Sequence, residues 1–412
     1  MDRIIAACLL ALIPLTLYTK TNAVAEETKI LTLDEAIEHA LSKNPLLEAS
    51  RKMITIREAK VTDAKSDLYP HVRFKFILPF VERESGIFAD QLIWDFGRTP
   101  NLIKFSKANL RASKLDLSAD ASQIVLDTKI AYYTALTEKH DFEAKRKLVE
   151  SKLKRLEQLE NFLQTGRATK LEVARAKVDL GNARLEMLTA QANFKKAKIE
   201  LAKAMGMEGE FEYELEDMLD YKPVDVDLDA AVKSALEKRP EMKSLEEREE
   251  GLQASARASL QSFYPTILGR VAYRFEGEGA TGPDFIGGLG LVMPIFDGFS
   301  KYSGVKESRA MLSRARSEMD TLRQRIISEV KEAYLDLTLA EEAVSVARDS
   351  MASAQDNYGL VSEVYKMGKT SLVELTEAEA LKEDTGANYI RAIYNYKIAV
   401  ARLERAIGES IE

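Results

Sequence analysis

Leu33-Asp34-Glu35-Ala36-Ile37-Glu38-His39-Ala40-Leu41-Ser42-Lys43-Asn44-Pro45 is written a second time, as Leu228-Asp229-Ala230-Ala231-Val232-Lys233-Ser234-Ala235-Leu236-Glu237-Lys238-Arg239-Pro240. Seven of the thirteen positions are identical at a constant offset of 195. The same offset pairs Tyr69-Pro70 with Tyr264-Pro265. From Asp95 and Asp297 onward the offset is 202, pairing Ala131-Tyr132 with Ala333-Tyr334, Gly166 with Gly368, Glu172 with Glu374 and Gly206 with Gly408. Matches this regular mark a duplicated unit, with seven residues gained between Pro265 and Asp297. The expected organisation is a first repeat over 26–206, an acidic, non-periodic link over 207–227 and a second repeat over 228–412.

Each repeat follows one plan. A helix is predicted over 33–68, stopped at Pro70 because proline removes a helical donor and pushes the residue before it out of the α region. A strand pair follows, 71–97 in the first repeat and 266–297 in the second. A long helix then runs over about 99–163, with Val149, Leu153, Leu156, Leu159 and Leu163 at helical spacing. Gly166 breaks it. A returning helix over 171–205 carries Leu171, Ala174, Val178, Leu185, Leu188 and Ala192 on one heptad-spaced seam. At 1.5 Å per residue these helices measure roughly 54, 97 and 52 Å. Two short helices laid end to end therefore match one long helix, and the acidic link falls at their junction.

The strand segments alternate. Val72, Phe74, Phe76, Leu78 and Phe80 share one face, against His71, Arg73 and Lys75. The next strand is expected to put Phe88, Leu92, Trp94 and Phe96 on its apolar face, with Gln91 and Asp95 opposite. In the second repeat Ile267, Val271, Tyr273 and Phe275 oppose Arg270, Arg274 and Glu276. The last strand alternates Phe285, Leu289, Leu291, Met293 and Ile295 with Gly288 and Gly290. Runs of about 10 residues suit a tilted strand crossing a bilayer. Large hydrophobes on one face with full charges on the other predict Val72, Phe74, Phe76, Trp94, Tyr273 and Leu291 as lipid-facing. Amphipathic hairpins packed on the helices are the alternative. Four strands cannot close a barrel alone, and open edges in lipid leave backbone groups unpaired. The chain therefore needs sister chains, and three copies give about twelve strands.

Composition agrees with a protein of long solvated helices. Charged residues make up 30% of the 412, Pro and Gly are few, and there is one Cys. Arg3, the apolar run 4–17 and Ala23-Val24-Ala25 predict a signal peptide over 1–25. Most of that run lies after Cys8, which argues against lipidation at Cys8. Without residues 1–25, Asp2, Arg3 and Lys20 are lost and the formal net charge moves from −7 to −8. A mildly acidic exported chain is a poor nucleic-acid binder. His39, His71 and His140 share no metal-ligand spacing, and no phosphate loop, nucleophile elbow or Cys–His arrangement is present. The twelve Met are scattered. The expectation is no enzyme, no cofactor and no metal site.

Taken together, these features resemble the TolC-like outer-membrane efflux family over nearly the whole mature chain. The resemblance rests on Leu31-Thr32-Leu33-Asp34-Glu35-Ala36-Ile37 with Asn44-Pro45, on the Tyr-Pro helix ends, and on Trp94-Asp95-Phe96-Gly97 with Phe296-Asp297-Gly298. It rests also on two hairpin tips, Thr165-Gly166-Arg167-Ala168-Thr169-Lys170-Leu171-Glu172-Val173 and Met367-Gly368-Lys369-Thr370-Ser371-Leu372-Val373-Glu374-Leu375. The implied fold is mainly α with a β-barrel portion: a long periplasmic α-helical barrel of coiled-coil hairpins plus a transmembrane β-barrel completed by trimerisation. The implied function is a passive outer-membrane exit duct of a tripartite efflux or type I secretion system. Its implied partners are a periplasmic adaptor, an inner-membrane transporter and outer-membrane lipid. At the implied periplasmic gate, Glu374 and Glu377 ring the pore where the family's best-known member has Asp. Tyr365 matches a latch tyrosine and Glu172 a latch acid. The latch arginine position is Thr370, with Lys369 beside it. Gly166, Arg167, Leu171, Gly368 and Leu372 are the implied adaptor contacts, with hairpin packing the alternative for Leu171 and Leu372. A soluble periplasmic coiled-coil adaptor or scaffold is the rival reading, and it leaves the alternating strands without a role.

Overall fold

The computed structural model describes residues 30–76, 85–207, 213–274 and 284–409. The predicted signal peptide, Leu78, Phe80, Phe275, Glu276 and most of both strand-joining turns lie outside the described residues. In chain order the elements are β1 (Ile30–Leu31), α1 (Leu33–Lys43), α2 (Pro45–Ser66), β2 (His71–Lys75), β3 (Gly86–Trp94), α3 (Arg98–Gln164) and α4 (Lys170–Ala204). They continue with β4 (Glu214–Leu215), α5 (Leu228–Lys238), α6 (Pro240–Gln261), β5 (Thr266–Arg274), β6 (Asp284–Val292), α7 (Ser300–Lys366) and α8 (Leu372–Ile407). The long helices α3 and α7 have 67 residues each, about 100 Å at 1.5 Å per residue. Their bounds differ by the 202-residue offset of the sequence, and α1 and α2 differ from α5 and α6 by 195.

The helix expected over 33–68 is two helices. Asn44 and Arg239, each before a proline, take extended ψ values of 123° and 127°, because the proline ring excludes the α region there. Asn44 then serves the next helix as cap, its Oδ1 accepting from the Leu46 amide at 2.9 Å. The strand-to-helix elbows are local chemistry as well. Asp95, buried, accepts from the Gly97 and Thr99 amides at 3.2 and 2.6 Å. Asp297 accepts from the Lys301 amide at 3.1 Å. Phe96 and Phe299 hold positive φ of 58° and 68°, an outlying conformation for a bulky residue. Ring contacts brace both, Phe96 on Tyr264 at 5.6 Å and Phe299 on Phe296 at 5.7 Å.

The short helices meet end to end beside the middle of α3. Asn44 Nδ2 donates to the Ala204 carbonyl at 3.1 Å, joining the start of α2 to the end of α4. The link wraps the same level. Tyr132 is fully buried, with its hydroxyl 2.8 Å from the Leu31 carbonyl and 3.1 Å from that of Glu216. Burial pushes this hydroxyl up to about 12, so it stays protonated through the neutral range. On α8, Tyr396 donates to the Lys222 carbonyl at 2.9 Å and Lys397 pairs with Asp220 at 2.9 Å. The parallel β1–β4 pair closes this belt.

Gly206, at φ +70°, ends α4 against this junction, where an added Cβ would sit 2.8 Å from Asn44 Cα. Gly166, at φ +73°, meets nothing within 4 Å. Gly166→Ala is therefore expected to cost only the left-handed penalty of roughly 1–2 kcal/mol. Gly206→Ala adds a backbone clash to that penalty. Thermal melts of the two variants should rank Gly206→Ala clearly lower; equal melting would mean that the junction is not tightly packed.

Neighbour relations define the architecture. The four-stranded antiparallel sheet has the order β2-β3-β5-β6. On the sheet side of the belt, α2 packs on α3, α3 on α6 and α6 on α7. On the far side α4 packs on α3, α3 on α8 and α8 on α7. Each of the three layers is thus an open row among the described residues. One margin is β2, α2 and α4; the other is β6 and α7.

The seam expected to pack α4 is not the one used inside the chain. Val173, Ala176, Leu180, Ala183 and Ala190 are buried, and Val173, Ala176 and Leu180 form a core with Leu156 of α3. Leu171, Val178, Leu185 and Leu188 are exposed by 61, 62, 64 and 55%. The close-packed hairpin buries Val173 and Leu180 among alanines and leaves the leucine-rich stripe on the outer margin.

Candidate functional site

Two regions carry the predicted site residues: the hairpin tips and the two faces of the sheet. Both tips close with the same hydrogen-bond pattern. Gly166 N donates to the Leu163 carbonyl at 3.1 Å and Arg167 N to that of Phe162 at 2.7 Å. Gly368 N donates to the Tyr365 carbonyl at 2.8 Å and Lys369 N to that of Val364 at 3.1 Å. These are Schellman closures with glycine in the left-handed position, at φ +73° and +72°.

The next turn separates the two repeats. In the first, Thr169 Oγ1 accepts from the Glu172 amide at 3.2 Å, while the Glu172 carboxylate accepts from the Thr169 amide at 2.6 Å and hydroxyl at 2.8 Å. That complete capping box holds the Glu172 carboxyl below its usual range and occupies the proposed latch acid locally. In the second repeat Ser371 Oγ accepts from the Glu374 amide at 3.2 Å, but the reciprocal bond is not formed. Glu374 and Glu377 are exposed on one side of α8, one turn apart. Tyr365, Thr370 and Leu372 are partly covered, and Lys369 is exposed. The Thr370 hydroxyl oxygen is buried without a hydrogen-bond partner. Among the described residues no ion pair joins Lys369 to Glu172. Leu171, 61% exposed, lies on the outer seam of α4 rather than inside its hairpin.

Above the tips the hairpins are bridged between α3 and α8. Lys147 meets Glu383 at 3.5 Å, Asp141 meets Arg391 at 2.9 Å and Lys129 meets Glu404 at 2.6 Å. A cleft of about 350 Å³ between the helices spans the first two of these bridges, with Lys154 and Arg155 on one wall and Glu379 and Glu383 on the other.

Strand register decides the sheet's faces, since cross-strand partners share a face. Val72 pairs with Ala89 and Phe74 with Ile87; Ile87 pairs with Tyr273, and Tyr273 with Phe285. Trp94 pairs with Ile267 and Ile267 with Leu291. Phe76, just beyond β2, continues the alternation of Phe74. This face carries no charged residue at any described strand position, and Phe74, Phe285, Leu289 and Leu291 are 68, 70, 77 and 68% exposed. The opposite face carries His71, Arg73, Lys75, Asp90, Arg270 and Arg274. There Asp90 pairs with Arg270 at 2.6 Å and with Arg73.

The expectation for β3 is corrected at three residues, the first being Gln91, which pairs with Gly269 opposite Leu289 and so lies on the uncharged face. Phe88 pairs with Arg73 and Ala272, and Leu92 with Leu268, so both lie on the charged face. A bulge between Leu92 and Trp94 inserts one residue, reverses the alternation and carries Trp94 to the uncharged face. Large hydrophobes stand at both parities of β3, so alternation alone could not reveal the reversal. Asp90, which joins both arginines, shares the parity of Phe88 and Leu92 and is the signal in the sequence that marks theirs as the charged face. Among the described residues no helix is long and apolar enough to cross a membrane.

Comparison with known proteins agrees with this architecture. A sequence model of the family described as outer membrane efflux protein matches residues 36–207 and 231–409, one segment in each repeat. The chain is 22% identical over 365 residues to outer membrane efflux protein BepC of Brucella suis biovar 1, covering 84% of this chain and 79% of that protein. It is 23% identical over 381 residues to protein CyaE of Bordetella pertussis, covering 86% and 79%. The crystal structure of the Campylobacter jejuni CmeC outer membrane channel superposes with a TM-score of 0.79 at 17% identity, over 91% of this chain and 85% of that one.

Proposed function

Because the chain belongs to the outer membrane efflux protein family, we propose that it is one subunit of a trimeric export duct, a passive conduit and not an enzyme. The observation that carries this reading is the set of matching open margins. Sheet, upper helices and lower helices all end at β2, α2 and α4 on one side and at β6 and α7 on the other. Copies joined margin to margin satisfy all three layers at once and form a closed ring, and three copies of four strands give about twelve, within the range of outer-membrane barrels. The uncharged face then meets lipid and the charged face lines the lumen. A soluble scaffold would leave an uncharged wall with Leu289 77% and Leu291 68% exposed in water.

The helices extend from the barrel into the periplasm and end at the two tips. There the duct docks a periplasmic adaptor and, through it, an inner-membrane transporter that supplies the energy. Arg167, Leu171 and Leu372 are the contacts proposed for docking, held by the turns at Gly166 and Gly368. Glu374 and Glu377 form the gate. The unfinished capping box leaves the Glu374 carboxylate outside the local bonds that occupy Glu172. In a ring of three, six carboxylates at one constriction attract cations, multivalent ones most strongly.

The test is single-channel conductance in a planar bilayer, with a trivalent cation added to each side in turn. The expected result is block from the helix-tip side. Glu374→Ala with Glu377→Ala should relieve the block and weaken cation selectivity without changing trimer yield. Unaltered block in the double variant returns both residues to ordinary helix surface.

A further inference from the structure

At its described strand positions the charged face carries more cations than anions. Arg73 and Lys75 on β2 and Arg270 and Arg274 on β5 give four cations there. Against them stand Asp90 and, by register opposite Arg274, Asp284. Register sets them in rows across the strands. One row runs His71, Asp90, Arg270 and Gly288; a second runs Lys75, Gly86, Arg274 and Asp284. In the first row Asp90 sits between two guanidinium groups, Arg270 at 2.6 Å and Arg73 reaching across from the neighbouring row. In the second, Gly86 separates Lys75 from Arg274 with no side chain between them.

A second observation points to clearance above these cations. On β6 the residues sharing this face beside Arg270 and Leu268 are Gly288 and Gly290. A Cβ at Gly288 would meet nothing within 4 Å, and one at Gly290 only the Leu268 carbonyl at 3.9 Å. Packing within the chain therefore does not require glycine at either position, although glycine weakens a strand and marks sites of close approach. The bare strip lies along the margin strand β6, which in the proposed ring adjoins the next copy's β2, the strand that carries Arg73 and Lys75.

We infer that this wall is a polyanion-binding section of the duct, so that the barrel attracts solutes bearing several phosphate, sulfate or carboxylate groups while the helix-tip gate attracts cations. The inference rests on the channel reading, which places the charged face in the lumen. A ring of three carries this excess of cations three times within one pore, and rings of charged side chains set which ions dwell there. A cargo with clustered negative charge is the class that such a wall favours near the exit.

The test uses the full chain in a planar bilayer and inorganic tripolyphosphate added on the barrel side, with the reversal potential read in a potassium chloride gradient. Lys75→Gln with Arg274→Gln is the informative variant, because neither residue is one of the two arginines on Asp90. Tripolyphosphate is expected to block the parent at concentrations several-fold below those needed for the variant, whose reversal potential moves toward cation selectivity. Arg73→Lys with Arg270→Lys keeps both charges and should behave like the parent. If the double variant does not assemble, Arg274→Gln alone is read in the same way, with a smaller shift expected. Equal block and equal reversal potential in parent and variant overturn the inference and leave the channel standing, with selectivity then set elsewhere. A chain that conducts in no form overturns the channel reading and the inference with it.

Discussion

Phe74→Arg and Leu291→Arg are each expected to remove most of the assembled protein from the outer-membrane fraction. Both positions lie on the face without charges and are 68% exposed in the single chain. In the proposed barrel an arginine there would face hydrocarbon at a cost of about 2–4 kcal/mol near the midplane, and a ring of three would meet it three times. Phe88→Glu is the sharp counterpart. Phe88 pairs directly with Arg73, so an acid there gains an opposite charge across the strand and should assemble normally. Arg73→Ala should assemble as well, since Arg270 still holds Asp90 at 2.6 Å. Heat-modifiable bands in membrane fractions report all four. Loss of Phe88→Glu together with survival of Phe74→Arg would reverse the two faces.

Leu185→Asp on α4 and Leu339→Asp on α7 are each expected to abolish the trimer while sparing the fold of the chain. Leu171, Val178, Leu185 and Ile199 recur at multiples of seven along α4 and are 61–65% exposed. Leu339, Val346 and Leu360 do the same on α7, exposed by 67, 61 and 66%. These stripes lie on opposite margins of the row, so in a ring each meets the other. Burying one leucine contributes about 1.5–3 kcal/mol, and an unpaired buried aspartate turns that gain into a penalty. The seam inside the hairpin, with Val173, Ala176 and Leu180 buried, is untouched by Leu185→Asp. Circular dichroism should therefore remain helical while size-exclusion chromatography in detergent shifts to the single chain. Trimer yields equal to the parent's would mean that both stripes face solvent.

The parts of this fold legible in the sequence are those fixed by local chemistry. The helix stops before Pro70 and Pro265, glycine at both tips and a duplicated offset read directly, because backbone restrictions do not depend on a partner. Seams and faces read less well. On α4 two apolar stripes compete, and residue size points to the wrong one: leucines suggest a core, yet a close hairpin buries Ala176 and Ala183 and leaves Leu185 for a neighbour. On β3 large hydrophobes stand at both parities, and only pairing with β2 and β5 exposes the bulge that turns Trp94 outward. The break at Asn44 was written in Asn44-Pro45 but hidden by the unbroken apolar pattern around it. At the tips, Glu172 and Glu374 occupy equivalent positions, and only the geometry distinguishes a closed capping box from an open one.

Native mass spectrometry of the detergent-extracted protein, combined with bilayer recordings of the same fraction, tests the closed ring most directly. The account predicts that the conducting species has the mass of three chains and that Leu185→Asp removes the mass and the conductance together. A single chain that conducts, or a conducting assembly that Leu185→Asp leaves intact, would contradict it.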